Sequence, residues 1–348
     1  MSDVRTPRKA GMRDVARRAG VSIATVSNVL NNPAVVASDT RTRVEAAMSD
    51  LSFVRNGTAR WLRGVPSPLV GALTVDVSNL FYAELLRGVE DRLEEAGCVL
   101  MSCSTDAVPA REERHLSLLE ELSPRGLIVA PVNPRLDVYR RLIARGTPLV
   151  LVDHPRDAED LCAVTTDNVT GGRLVAEHLL GLGHRRIAYL GCRVWVRSLT
   201  DRRAGFEAAL RAAGVDPATA LVDVPIGPLR VGDEAHDVAT RLAALPDRPT
   251  AVVCFNDTVA LGLMRGLHRI GIRIPDDVSV IGYDDVAFAA GLAPELTTVR
   301  QPSYQLGRMA AELLLDEGRS GHRHSEALFR PTLMIRDSTA APAVGSRS

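Results

Sequence analysis

A chain of 348 residues exceeds what one hydrophobic core usually organises, so two or three packing units are expected. With 46% apolar and 24% charged residues, the composition is that of soluble globular domains and excludes a fibrous or wholly disordered chain. The net charge is zero but unevenly placed: residues 1–64 carry 11 Lys+Arg against 5 Asp+Glu, and the remainder 31 against 37. A basic head on an acidic body suggests a polyanionic partner for the head, a merely solvated basic tail being the alternative.

The first residues, MSDVRTPRKAGM, lack the apolar run of a secretory signal, and no later segment approaches the ~20 apolar residues of a membrane span. A cytoplasmic protein without a membrane partner is expected, opening on a flexible basic tail over 1–11. Three helical patterns follow over 12–56. The first places Met12, Val15, Ala16 and Ala19 at i, i+3, i+4, i+7 and stops at Gly20. Ser22 is suited to cap a second helix reaching Leu30, and Ser38 a third with Val44, Ala47, Met48 and Leu51 on one stripe.

The second helix has two differing sides. Val26, Val29 and Leu30 form its core side, while Ile23, Ala24, Ser27 and Asn28 occupy the other. Thymine methyls in a major groove are apolar partners for Ile23 and Ala24, and Asn28 can pair bidentately with adenine. Helix, glycine-containing turn and helix with a presented face make a helix-turn-helix, with a plain helical hairpin as the competing reading. Residues 57–68 read as a short hinge helix over 58–63 and a linker through Gly64 and Pro66.

From Leu69 apolar runs alternate with amphipathic helices: strands at 69–75, 98–103, 126–131 and 148–153, helices at 81–96, 110–122 and 136–145. After 163–167 a second series has strands at 186–192, 220–225, 251–256 and 279–284, with helices at 171–182, 199–213, 231–244 and 258–270. Two βαβ series predict two lobes of parallel sheet covered by helices, with a ligand cleft beyond the strand carboxyl ends. Asp153, Asp167, Asn256, Asp257, Asp284 and Asp285 end these strands, where each suits either ligand contact or helix capping. Arg202 could reach the cleft or form a surface ion pair.

The five cysteines are scattered without C-x-x-C spacing, so neither a disulfide framework nor a zinc site is expected, and buried thiols are the reading. His184 reads as helix-end punctuation, and His322 and His324 fall in a loop. No catalytic order, metal-ligand spacing or phosphate loop stands out, so neither enzyme activity nor a cofactor is expected. Adjacent Asp284 and Asp285, as consecutive strand residues, point to opposite faces, which is poor geometry for a glycosidase pair.

The blocks DVARRAGVSIATVSNVLNN (14–32), TARWLR (58–63), DRRAGF (201–206), VVCFNDTVALG (252–262), IPDDVSVIGYDD (274–285) and LTTVRQP (296–302) together resemble the LacI/GalR family of transcription regulators over residues 12–338. The resemblance implies an all-α helix-turn-helix domain plus hinge helix, then a two-lobe α/β core like periplasmic binding proteins. The core would span 69–341, with an N-lobe of about 69–168 plus 300–330, a C-lobe of about 169–299 plus 331–341, and a flexible tail at 342–348. It implies an allosteric repressor acting as a homodimer on a pseudo-palindromic double-stranded DNA operator, controlled by a small-molecule effector, for which a sugar fits. Carried over by position, Ile23, Ala24 and Asn28 match base-reading residues, Ser22, Thr25 and Ser27 phosphate contacts, and Leu62 the minor-groove wedge, with Asn56 and Arg60 beside it on the DNA. Phe81, Tyr82, Asp153, Arg202, Asn256 and Asp284 match effector contacts. Gly11, Arg55, Gly57 and Trp61 depart from the family pattern, and Gly57 in place of Ala predicts a hinge helix that forms only on operator. The competing reading is a carbohydrate-binding or carbohydrate-processing protein with no DNA role.

Overall fold

The computed structural model describes residues 10–54, 67–156, 159–227, 231–317, 319 and 321–343. The expected hinge residues Asn56, Arg60 and Leu62 lie outside them. The chain divides into two compact units, Met1–Pro66 and Ser67–Ser348.

In the first unit, α1 (Met12–Ala19), α2 (Ile23–Asn31) and α3 (Ser38–Asp50) pack around Val15, Ala16, Val26, Val29, Val44 and Ala47. Gly20 ends α1 with φ 66, a left-handed conformation that glycine adopts without Cβ strain. The Thr25 amide donates to Ser22 Oγ at 3.0 Å, capping α2 as its sequence suggested. Ser38 does not cap α3: Ala37 holds the cap position without a side-chain bond, and Ser38 is already the first helical residue. Gly11 has no side chain to cap α1, but its amide donates to Asp14 Oδ2 at 2.9 Å, completing half of a capping box.

The second unit has two lobes. In the N-lobe, β1 (Leu69–Thr74), β2 (Val99–Ser104), β3 (Gly126–Val129), β4 (Leu149–Val152), β5 (Cys162–Thr166) and β11 (Glu326–Phe329) form one parallel sheet in the order β11-β5-β4-β3-β1-β2. Its central strands GLIV and LVLV are buried at every position, as continuous apolar runs covered on both faces must be. The covering helices are α4 (Leu80–Glu94), α5 (Pro109–Glu121), α6 (Asp137–Ala144) and α12 (Ser303–Glu317). In the C-lobe, β6 (Ile187–Cys192), β7 (Leu221–Ile226), β8 (Ala251–Cys254) and β9 (Ser279–Ile281) make the parallel order β7-β6-β8-β9. Around them lie α7 (Asn168–Gly181), α8 (Arg197–Ala212), α9 (Pro217–Ala220), α10 (Val231–Ala243) and α11 (Asp257–Arg269). A small antiparallel pair, β10 (Thr298–Arg300) with β12 (Thr332–Met334), completes the fold.

Each lobe pairs two helices at very close range. An added Cβ on Gly172 of α7 would stand 1.8 Å from the Arg202 carbonyl of α8, and one on Gly205 of α8 would stand 1.9 Å from the Val169 carbonyl of α7. Glycine is what permits this approach, and it sets the depth at which Arg202 is held. Gly88 and Gly307 play the same part between α4 and α12.

Candidate effector cleft and nucleic-acid interface

Both sheets reverse strand order about an inner strand, β1 in the N-lobe and β6 in the C-lobe, and a cleft opens beyond the carboxyl ends there. It encloses about 550 Å³ up to its mouth. Segments following β1 and β4 supply Asn79, Phe81, Tyr82 and Asp153 from one lobe. Segments following β6, β8 and β9 supply Ser198, Arg202, Asn256 and Asp284 from the other. All six residues that sequence placed at an effector site, Phe81, Tyr82, Asp153, Arg202, Asn256 and Asp284, line this one cleft.

The polar groups are nearly all engaged. Asp153 Oδ2 accepts from Tyr82 Oη at 3.0 Å and from Ser198 Oγ at 2.9 Å, so Ser198 bonds across the cleft. The other oxygen, Asp153 Oδ1, is buried and has no hydrogen-bond partner among the described residues. Arg202 is 6% exposed, donates to Asn168 Oδ1 at 2.8 Å and the Phe255 carbonyl at 2.9 Å, and stacks 3.6 Å over the Tyr283 ring. It is therefore a buried cleft cation, and the surface ion pair considered for it is not formed. Asp284 Oδ1 accepts from Gln301 Nε2 at 2.8 Å, and Gln301 Oε1 is also buried without a partner.

Burial raises the pKa of Asp153, with Arg202 pulling the other way. Burial pushes Asp284 up to about 7, opposed first by Arg202 and the Gln301 hydrogen bond. The site thus holds two carboxylates of incomplete acidity beside one cation, walled by Phe81, Tyr82 and Phe255. Such a surface accepts and donates hydrogen bonds at its centre and offers apolar contact at its rim.

Several strand-end residues have other roles. Asp167 caps α7, accepting from the Thr170 amide at 2.9 Å, and does not line the cleft. Asp257 is buried beneath it, accepting from the Val286 amide at 2.9 Å and Thr298 Oγ1 at 2.6 Å. Asn256 does both jobs, capping α11 through the Val259 amide at 2.9 Å while facing the cleft. Asp284 and Asp285 are not consecutive strand residues, because β9 ends at Ile281 and both have positive φ, 114 and 57. The turn still aims them apart: Asp285 turns from the cleft to Arg300 and Arg336. His184 is more than helix punctuation, for it is buried and its ring nitrogens meet Thr250 Oγ1 and the Ala340 carbonyl. Sequence reading missed Asn79, Ser198, Phe255 and Gln301. Ser198 precedes Arg202 by four residues on one helix face, a spacing that could have found it.

In the first unit, Ser22, Ile23, Ala24 and Asn28 are exposed on one side of α2, with Thr25 and Ser27 partly buried beside them. Ile23 remains 43% exposed, an apolar side chain turned to solvent at the start of a helix. Ser22 and Thr25 also share a hydroxyl contact of 2.9 Å, and Asn31 Nδ2 donates to Ser27 Oγ at 3.2 Å. Arg13, Arg17 and Arg18 add exposed positive charge along α1.

A trihelical unit with a presented helix face, followed by a two-lobed α/β binding core, defines a ligand-responsive DNA-binding regulator. Residues 11–56 match the family of bacterial regulatory proteins, lacI family, and residues 176–339 match the periplasmic binding protein-like domain. The HTH-type transcriptional repressor PurR of Photobacterium profundum is 33% identical over 333 residues, covering 94% of this chain and 98% of that protein. The LacI-family regulator of Enterococcus faecium with bound ribose superposes with TM-score 0.72 at 30% identity, over 79% of this chain and 100% of the other. The lac repressor dimer bound to operator superposes with TM-score 0.75 at 27% identity, over 96% of this chain and 100% of the other. The chain belongs to the LacI family and is a DNA-binding transcriptional repressor. Among the described residues, no helix is long and apolar enough to cross a membrane.

Proposed function

We propose that this repressor reads a pseudo-palindromic operator as a cytoplasmic homodimer and that a small sugar, bound between its lobes, sets its operator affinity. Ile23, Ala24 and Asn28 of α2 read base edges, Ser22, Thr25 and Ser27 touch phosphates, and Asn56, Arg60 and Leu62 act at the minor groove. Phe81, Tyr82, Asp153, Arg202, Asn256 and Asp284 hold the effector. The observation that carries the effector reading is the unpartnered, buried Asp153 Oδ1, which faces a cleft flanked by a cation, a second carboxylate and aromatic rings. A hydroxyl-rich ring can donate to that oxygen and lay its C–H face on the aromatics, and the ribose-bound relative supports this chemistry.

The test is fluorescence anisotropy with duplex DNA flanking the protein's own gene, combined with thermal shift across a panel of sugars and nucleobases. One sugar is expected to raise the melting temperature and to change operator affinity about 5- to 150-fold. Asp153→Asn should abolish the thermal shift while leaving DNA binding without sugar intact. A nucleobase as sole ligand would replace the sugar in this reading, and a DNA affinity indifferent to the whole panel would overturn it.

A further inference from the structure

The N-lobe carries a second constellation, at the end of the sheet opposite the cleft. Cys162, the first residue of β5, meets Glu317 at the end of α12 and His322 and His324 in the loop leading to β11. One ligand atom from each of the four lies within 4.8 Å of the others. Cys162 Sγ is 3.2 Å from His322 Nε2 and 3.8 Å from His324 Nδ1. Glu317 Oε1 is 3.7 Å from His322 Nε2 and 3.2 Å from His324 Nδ1. Bonds of about 2.0–2.3 Å from a tetrahedral ion to sulfur, nitrogen and oxygen separate neighbouring ligand atoms by roughly 3.3–3.7 Å, the spacing found here.

We infer that these four side chains form a structural zinc site. One soft thiolate with two imidazoles and a carboxylate is a donor set that suits zinc and is poor for magnesium or calcium. The surroundings are those of a ligand shell. His322 directs Nε2 to the cluster and its other ring nitrogen, Nδ1, to Asp316 Oδ2 at 2.9 Å, the carboxylate–histidine–metal relay that fixes ring orientation. The Ser325 amide donates to Cys162 Sγ at 3.5 Å, a contact that supports a thiolate. The Cys162 side chain is buried, and those of Glu317 and His322 are 6% and 7% exposed. Four protein ligands leave no open position, so the ion is structural. On binding, the thiol releases its proton to solvent, and the ion ties β5, the end of α12 and edge strand β11 together. Sequence reading expected no metal site, because 155 or more residues separate Cys162 from its partners and no local motif marks them.

The test uses the untagged full-length chain. Elemental analysis of the purified protein is expected to find about one zinc per chain. Chelator-stripped protein should regain its melting temperature on adding zinc, and cobalt(II) in its place should give an intense thiolate-to-cobalt charge-transfer band. Since Cys162→Ser perturbs a buried strand, the second variant is His324→Ala, whose side chain is one-third exposed. It should fold, yet bind zinc at least ten times more weakly in competition with a chromophoric chelator. Stripped protein whose melting temperature ignores zinc and whose cobalt form lacks the charge-transfer band would overturn the site, as would wild-type zinc affinity in His324→Ala.

Discussion

Asp284 is where the chemistry of single residues is most exposed to experiment. In the folded chain its carboxyl is raised from an ordinary 3.8 to about 7, with burial the largest cause. Between those values the folded protein holds a proton that the unfolded chain has lost, so stability falls as pH rises through this window. The contribution is complete below 3.8 and gone above about 7. Asp284→Asn should flatten this part of the stability profile measured by urea unfolding. A ligand hydroxyl donating to Asp284 prefers the ionised acceptor, so effector affinity should rise as pH passes about 7 in the wild type and stay level in the variant. Isothermal titration across neutral pH checks this, and an unchanged slope in Asp284→Asn counts against it. The residue types of the site were legible because polar side chains at strand carboxyl ends stand out against apolar runs. What could not be read was which oxygens are spent: Asp153 and Asp167 look alike in sequence, yet one faces the cleft and the other caps α7.

At the scale of elements, strong periodicity made most of the fold legible, and strand and helix positions from β1 to α11 agree within a few residues. The exceptions share a cause. β10 and β12 are only three residues each, too short to display a period, and they owe their pairing to distant chain. Helix α12 went unassigned although its stripe of Leu306, Ala310, Ala311 and Leu314 is buried in the N-lobe. Helix contacts also decide two predictions. Gly172→Ala thrusts a methyl into the Arg202 carbonyl, so it should destabilise by about 1–3 kcal/mol in urea unfolding and weaken effector binding by moving α8. Gly181→Ala, near the other end of the same helix with nothing within 4 Å, should instead be neutral or stabilise by about 0.5–1 kcal/mol. Equal effects would refute the close-approach argument. On α2, Asn28→Ala should cost about 1–3 kcal/mol of operator affinity while leaving the slope of affinity against salt unchanged, because a base contact is lost and no phosphate contact is. Anisotropy titrations over a salt series separate the two.

At the scale of the whole molecule, the lobes are joined by three crossings of the chain, at 166–168, 284–301 and 329–332. Asp285 clamps them: its carboxylate accepts from Arg300 Nε at 2.7 Å on one crossing and from Arg336 NH2 at 2.5 Å just beyond another. Arg336 also donates to the Leu296 carbonyl at 2.7 Å. None of these groups lines the cleft, so any effect they have on ligand response must pass through the relation between the lobes. A ligand shifts that relation only by its differential affinity for two lobe arrangements, and the coupling is reciprocal: operator must change effector affinity by the same factor that effector changes operator affinity. Arg336→Met removes one arm of the clamp while retaining the aliphatic stem. It should therefore leave the cleft contacts intact but move the coupling free energy by about 0.5–2 kcal/mol, equally in both directions. Measuring operator affinity with and without saturating effector, and effector affinity with and without saturating operator, gives the factor twice. Should the variant lower intrinsic effector affinity while the coupling factor stays at its wild-type value, the clamp would be a support of the cleft wall, and control of lobe movement would lie in the Ser198–Asp153 bond that spans the cleft.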